Sequence, residues 1–284
     1  MKTSVVIVNY NSGRFLENCL RSLEGENVEI VVVDNNSQDG SIERAREKFP
    51  KIRYILNSQN LGFARACNIG ARDVRSDFIL FLNPDTEVLP GAIRGAEDFM
   101  LRNRKCGILG GRVLNPDGST QFTLRRFPSY INIFFGRDSP LRRAFPKNPF
   151  SKHYLYLDLD YSKPHKVDMV CGAFMFVRRE VFEELSGFDE GFFLFVEDTD
   201  LCYRAKEKGW EVWYFPQKVC IHYQNEHPKG RGERFFHSMG MYRFFKKHYA
   251  PPKTFDFLLR FGLSILASLS AIGIKHPIDT RKYQ

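Results

Sequence analysis

At 284 residues the chain has room for one large α/β domain or two small ones. Its content of 43% hydrophobic and 26% charged residues is ordinary for a soluble globular protein. A net charge of +9 draws anions such as nucleotides and phospholipid headgroups, but no helix-turn-helix, zinc-finger or RNP pattern accompanies it, so nucleic acid is not an expected partner.

The chain opens directly in a strand pattern, Val5 to Val8, so no signal peptide is expected. This strand ends in Asn9-Tyr10-Asn11-Ser12-Gly13, and Phe15, Leu16, Cys19, Leu20 and Leu23 follow at helical spacing with Ser12 as the expected cap. Ile30 to Val33 is a second strand, ending in Asp34-Asn35-Asn36-Ser37. Asp39-Gly40-Ser41 then opens a charged helix through Lys48. Ile52 to Leu56 is a third strand, and Phe63, Cys67, Gly70 and Val74 mark one face of the next helix. The six cysteines show no Cys-x-x-Cys spacing and read as reduced, buried small hydrophobes of a cytosolic protein.

The fourth strand, Phe78 to Leu82, is five apolar residues buried on both faces, and it stops at Asn83-Pro84-Asp85-Thr86. Pro84 cannot donate to a ladder, so the chain leaves the sheet there and presents Asp85 beyond a strand end. A carboxylate at that edge is a candidate ligand for a phosphate-holding cation such as Mg²⁺; the same four residues also make a plain turn. Strands alternating with helices imply a parallel sheet with right-handed crossovers. Every strand ends in polar residues (Asn9, Asp34 and Asn36, Asn60, Asn83 and Asp85), which would line one edge of that sheet. A Gly-x-Gly-x-x-Gly after the first strand and a Gly-x-x-x-x-Gly-Lys are both absent, which argues against dinucleotide-binding and P-loop functions.

Four motifs occur in order: Val6-Ile7-Val8-Asn9-Tyr10-Asn11, Val32-Val33-Asp34-Asn35-Asn36-Ser37-Gln38-Asp39-Gly40, Asn60-Leu61-Gly62-Phe63-Ala64 and Leu82-Asn83-Pro84-Asp85. The series resembles the nucleotide-sugar-binding half of the family 2 glycosyltransferases, and within them the bacterial rhamnosyltransferase-like branch, over residues 3 to 249. The resemblance implies a GT-A fold, an α/β architecture with a Rossmann-like, mostly parallel central sheet flanked by helices. It further implies that Asn9 and Tyr10 flank the base of a nucleoside-diphosphate sugar, and that Asp34 bonds the base or ribose edge, with Asn36 in the same loop. Asn60, Gly62 and Arg65 would meet the diphosphate at a helix start, although Arg65 also reads as a solvated helix-face charge. The usual Asp-x-Asp of the fold is Asn83-Pro84-Asp85 here: Asp85 keeps the metal-binding position, and Asn83 supplies a neutral oxygen to ribose or a metal-bound water.

In the second half, Leu89-Pro90 to Asn103 is a helix and Ile108 to Leu114 returns to the sheet. Residues 120–166 interleave Arg125, Arg126, Arg142, Arg143, Lys147 and Lys152 with Phe127, Phe134, Phe135, Phe145 and Phe150. This segment either docks a lipid-linked or phosphorylated acceptor at a membrane surface or packs on the domain as an insertion. Val167 to Val177 reads as a strand interrupted by Cys171-Gly172-Ala173, whose small side chains would let an acceptor approach. A helix then carries Glu197, Asp198 and Asp200 in its first turn, where each acid gains about 0.3–1 kcal/mol from the dipole, so capping alone is one explanation. By resemblance, Glu-Asp-x-Asp-Leu-Cys-x-Arg is the catalytic acidic motif, with Asp198 as base, ionised by its first-turn position, and Glu197 beside it bonding the acceptor or a loop. Trp213 to Pro216 is the last core strand. His222 after it resembles the further metal ligand of GT-A enzymes and suits Mn²⁺ as well as Mg²⁺. The Gln-x-x-Arg-Trp string of processive members is absent, favouring transfer of a single sugar.

From Phe255 to Ile274, Asp256, Arg260, Ser264 and Ser268 draw a narrow polar stripe on an apolar helix. The longest uncharged stretch is too short to span a bilayer, which leaves an in-plane membrane helix or a helix packed on the domain or on a second copy in a homodimer. The expected organisation is a GT-A domain over 1–249, with a nucleotide-sugar-binding half (1–115) and an acceptor-binding and catalytic half (116–249), followed by an amphipathic tail over 250–284. The expected activity is metal-dependent, inverting transfer of L-rhamnose from dTDP-L-rhamnose to a glycan or lipid-linked acceptor, in the cytoplasm on the inner face of the cell membrane. A UDP- or GDP-sugar donor is the first alternative. A nucleotidyltransferase would need a Gly-rich phosphate loop that is missing between Val8 and Arg14, and a non-catalytic carbohydrate-binding protein would not need Asp85 and Asp198.

Overall fold

Alternation of apolar side chains along β1 (Thr3–Asn9) sends Val5 and Ile7 into one core and Val6 and Val8 into another, so both faces of this strand are covered. The same split recurs in β4 (Phe78–Leu82), with Phe78, Leu80 and Leu82 on one side and Ile79 and Phe81 on the other. These strands form the middle of a nine-stranded sheet in a computed structural model that describes residues 2–130, 148–224, 233–254, 256–257 and 260–262. Along its main path the strand order is β3 (Arg53–Leu56), β2 (Val28–Asp34), β1, β4, β8 (Phe174–Arg178), β6 (Cys106–Leu114), β9 (Glu211–His222) and β5 (Thr86–Val88), and the short β7 (His165–Lys166) pairs with β9 off that path. The first four strands are parallel and are linked by α1 (Phe15–Ser22), α2 (Ser41–Lys48) and α3 (Phe63–Ala71). Register between β1 and β2 sets Asn9 directly beside Asp34.

Beyond β4 the sheet is mixed. β8 (Phe174–Arg178) runs antiparallel to both β4 and β6 (Cys106–Leu114), while β9 (Glu211–His222) runs parallel to β6. The long strand expected over Val167 to Val177 is therefore only its last part. Of the residues before Phe174, Val167 donates its amide to the Val212 carbonyl of β9 and Met169 forms an isolated bridge with Arg125, while Gly172 and Ala173 are drawn into other bonds described below.

The last core strand is longer than expected, since Trp213–Pro216 and His222 lie on the single strand β9. Register against β6 jumps between Gly110 and Arg112, whose partners are Tyr214 and Lys218, and this irregularity accommodates Pro216 without a lost ladder bond. After Pro84 the chain rejoins the sheet as β5 (Thr86–Val88), antiparallel to β9, before α4 (Ala92–Arg102). Ser12 does not cap α1 with its side chain; its carbonyl accepts from the Phe15 amide instead, 3.0 Å away.

The described ends of the basic, aromatic segment pack on the domain. Arg126 lies 4.3 Å over the Tyr156 ring, Phe127 meets Tyr203, and Tyr130 stacks on Phe245. Arg142, Arg143, Lys147, Phe134, Phe135 and Phe145 lie outside the described residues, as does the tail from 263 onward. Asp256 and Arg260, neighbours on the polar stripe, pair at 3.3 Å, and both residues bond Tyr242 on the helix Glu233–His248. Among the described residues, no helix is long and apolar enough to cross a membrane. The six cysteines are free, and all but Cys171 are buried.

Candidate active site

The C-terminal ends of β1 and β2 are fastened by a closed set of polar contacts. Asn9 Nδ2 donates to Asp34 Oδ1 at 2.7 Å and also reaches the Ser37 and Ser41 hydroxyls. Ser37 gives Asp34 its backbone amide and its hydroxyl. Among the described residues Asp34 thus accepts three hydrogen bonds, which leaves about one of the four lone-pair positions of a carboxylate open. Asn9, expected beside a base, is fully closed to solvent. It acts by holding Asp34, because all of its donors point inward. Tyr10 and Asn36 are the exposed members of this corner, and Asn36 adopts φ 64°, a left-handed conformation that Asn tolerates.

The loop before α3 is tied across to the second half of the chain. Asn60 Oδ1 accepts from the Gly62 amide at 2.9 Å, and the Phe63 amide donates to the Phe193 carbonyl at 2.7 Å. Two amides expected to be open to a diphosphate therefore already have protein partners. Gly62 has φ +84°, and a Cβ there would stand 2.5 Å from the Phe193 carbonyl oxygen, so glycine is needed for this close approach. Arg65 is exposed and lies 3.6 Å from Glu190.

On the other side of β4, pairing of β5 with β9 sets Thr86 opposite His222 and so brings Asp85 against the imidazole. His222 Nε2 is 3.3 Å from Asp85 Oδ1 and is buried without a hydrogen-bond partner among the described residues, while Nδ1 lies 2.7 Å from Gln121 Oε1. A carboxylate oxygen facing an otherwise orphaned imidazole nitrogen suits a divalent cation that draws on both. Among the described residues no third His, Cys, Asp or Glu completes a ligand cluster.

Glu197 and Asp198 begin the helix Glu197–Glu207. Immediately before it, Phe195 and Val196 have φ 68° and 70°. Two successive left-handed residues, one of them β-branched, cost roughly 1–3 kcal/mol each, and strain of this kind is held where a side chain must be aimed. Asp198 Oδ2 accepts from the Gly172 amide at 3.2 Å, and Oδ1 accepts from the Thr199 amide at 2.7 Å and from its hydroxyl. Burial raises the Asp198 pKa, and these hydrogen bonds together with the Arg125 charge restrain the rise. The first-turn position that the sequence analysis expected to keep Asp198 ionised is thus opposed by its burial. Glu197 is more deeply buried, its Oε2 lacks a hydrogen-bond partner among the described residues, and burial and the neighbouring Asp198 push its pKa well up.

One short backbone path joins the two acidic points. Gly172 donates to Asp198, and the carbonyl of the next residue, Ala173, accepts from the Asn83 amide at 3.3 Å, two residues before Asp85. Residues 4–186 match the family model of Glycosyl transferase family 2. The chain belongs to that family. The resemblance drawn from the four motifs is thereby borne out, and the protein is a glycosyltransferase.

Among relatives of this family 2 glycosyltransferase is the N-acetylglucosaminyl-diphospho-decaprenol L-rhamnosyltransferase of Mycobacterium tuberculosis, 33% identical over 241 residues that cover 80% of this chain and 77% of the relative. Rhamnosyltransferase WbbL of Escherichia coli K12 is 24% identical over 234 residues, covering 77% of this chain and 82% of the relative. The mannosyltransferase PcManGT from Pyrobaculum calidifontis, solved with GDP-Man and Mn²⁺, superposes with a TM-score of 0.59 at 16% identity, covering 97% of this chain and 76% of that one. That likeness concerns the fold alone, and the fold is GT-A.

Two residues of this glycosyltransferase were not singled out as site residues from sequence: Gln121 beneath His222, and Arg125, whose charge acts on Asp198. Asp200, the third acid of the motif, is fully buried and engages Arg204, Lys247 and His248 at 2.7–2.8 Å. It anchors the Glu233–His248 helix and is closed to any acceptor.

Proposed function

We propose that this glycosyltransferase transfers a single L-rhamnose from dTDP-L-rhamnose to a hydroxyl of a glycan or lipid-linked acceptor, with inversion, in cell-surface polysaccharide synthesis. The observation that carries the reading is the backbone path from Asn83 through Ala173 and Gly172 to Asp198, which fixes a donor-side corner and a partly open carboxylate against one another. Rhamnosyltransferase relatives over most of the chain support the choice of sugar and acceptor class.

Tyr10, Asn36 and the open position on Asp34 receive the base and ribose. Asn60, Gly62, Arg65 and Asn83 border the diphosphate. Asp85 and His222 would hold the divalent cation, Mg²⁺ or Mn²⁺. When bound, the cation supplies positive charge to the diphosphate leaving group. Asp198 takes the proton of the acceptor hydroxyl as its oxygen bonds the anomeric carbon from the face opposite the breaking bond to diphosphate. Burial and the neighbouring Asp198 push the Glu197 carboxyl well up, so Asp198 is the more readily ionised carboxylate of the pair. Exposed Phe235, Met239, Phe257 and Phe261, beside the basic residues of the Glu233–His248 helix, suit contact with an anionic membrane surface.

Solved neighbours carrying GDP-Man and UDP-GlcNAc favour, as the second reading, the same chemistry with a GDP- or UDP-sugar. A thermal-shift panel of nucleotide-sugars with Mn²⁺ separates the two, since a ligand at one hundred times its Kd stabilises by about 2.7 kcal/mol. Stabilisation by dTDP-L-rhamnose above the UDP- and GDP-sugars is expected; a larger shift with either of those overturns the choice of donor.

A further inference from the structure

The hairpin that follows β6 holds a chain of side-chain hydrogen bonds whose direction is fixed from its far end. Ser119 gives both its amide and its hydroxyl to Asp117 Oδ1, the hydroxyl at 2.6 Å. A carboxylate only accepts, so the Ser119 hydroxyl has spent its proton and must accept from Asn115 Nδ2, 2.9 Å away. That turns Asn115 Oδ1 toward Gln121, whose Nε2 donates to it at 2.9 Å and also reaches the His222 carbonyl. With its amino group committed, Gln121 can offer only Oε1 to His222 Nδ1, at 2.7 Å. Nδ1 must then carry the proton, and Nε2 is left with its lone pair facing Asp85 Oδ1 at 3.3 Å. Among the described residues nothing donates to that lone pair.

We infer that Asp117, Ser119, Asn115 and Gln121 are positioning residues that lock His222 in the Nδ1–H tautomer and so prepare Nε2 as a ligand for a divalent cation. The inference rests on the proposal that Asp85 and His222 hold the metal. Without the relay the imidazole would gain more by protonating Nε2 and donating it to Asp85, which would close the site to a cation. Backbone bonds hold the relay in register: the Asn115 amide donates to the Ser119 carbonyl, Gly118 to Asn115, and Gln121 to Val113. Outer partners that orient a ligating His typically change metal affinity by about 10–100-fold.

Calorimetric titration of the full chain with Mn²⁺ alone tests this, with melting curves confirming that each variant is folded. Gln121→Met keeps the shape but offers no acceptor, and affinity should fall about 10–100-fold. Gln121→Glu still accepts from Nδ1, although it loses the bond to Asn115, and should stay within about threefold of wild type. A merely structural role for Gln121 would weaken both variants alike. Equal losses, or a Gln121→Met protein within about threefold of wild type, overturn the relay. If Gln121→Met fails to fold, Asn115→Ala removes the acceptor that orients Gln121 and should also weaken Mn²⁺; unchanged affinity there overturns the relay. His222→Ala is the control that separates the two ideas: loss of affinity there but not in Gln121→Met condemns only the relay, whereas unchanged affinity in His222→Ala condemns the metal site itself.

Discussion

Replacing Asp198 with Asn keeps the outline of the side chain but removes its capacity to take a proton. General-base catalysis typically contributes 10²–10⁴ in rate, so kcat should fall by about that factor, or about 3–5 kcal/mol of transition-state stabilisation. The structure adds a second consequence. Asp198 accepts from the Gly172 amide on one oxygen and from the Thr199 amide and hydroxyl on the other. An Asn has a single acceptor oxygen, and the bond from Gly172 is the longer and the one to be lost, at a cost of about 1–3 kcal/mol for a donor left without a partner. A melting curve must therefore accompany the kinetics. Initial rates of nucleotide release over a range of pH complete the assay. Because burial raises the Asp198 pKa, the acid limb of the wild-type kcat profile should lie above the ordinary carboxylate range, and it should vanish in Asp198→Asn. Donor affinity should stay within about threefold, since the residues assigned to the nucleotide lie in the first half of the chain. A folded variant with more than about a tenth of wild-type turnover would refute the assignment. Asp200 could not then take over, being buried and fully paired, which would leave Glu197.

Gly62→Ala forces a side chain into a glycine-only conformation and onto the Phe193 carbonyl, so stability should fall by about 1–3 kcal/mol in chemical denaturation; an unchanged midpoint would show that the close approach is not required. Asp200→Asn leaves Arg204, Lys247 and His248 without their shared carboxylate and should cost about 3 kcal/mol, the low end for a broken buried pair because Lys247 stays partly exposed. The same contacts set an acid limit. Burial opposes ionisation of Asp189 and Asp200, but hydrogen bonds and charges from Lys247, Arg243, Arg204 and His248 prevail, lowering Asp200 and bringing Asp189 down to about 2. Both depressed carboxylates contribute stability that is present above about pH 4 and lost as pH falls toward 2, so proteolysis of the Glu233–His248 helix should rise in that window and not between pH 5 and 7. Truncation after Ala250 should release the protein from anionic liposomes, and undiminished sedimentation of the shortened chain would exclude the tail as anchor.

The first four strands were legible because β1 and β4 are apolar on both faces and each is followed by a polar stop, so even a single sequence shows their ends. β5 was not, since three residues carry no periodicity, and its pairing with β9 is what sets Asp85 beside His222. The full length of β9 was hidden by Pro216, normally a strand terminator and tolerated here at a register irregularity. Candidate site residues were legible as chemical types at strand ends, while their division of labour was not. Asn9 and Tyr10 are adjacent in sequence, yet Asn9, the last residue of β1, lies in the polar knot while Tyr10, just past the strand end, stands in solvent. Gln121 gave no signal because its importance lies in the direction of one hydrogen-bond chain, which only the positions of Asn115, Ser119 and Asp117 reveal.

The most direct test of the proposed chemistry is the anomeric configuration of the product. Incubated with dTDP-L-rhamnose, Mn²⁺ and a glycan or lipid-linked acceptor, the protein should add one rhamnose per acceptor. Proton NMR of the new linkage should show the configuration opposite to that of the donor, as attack opposite the diphosphate with Asp198 as base requires. A product that retains the donor configuration would contradict single displacement and with it the role given to Asp198.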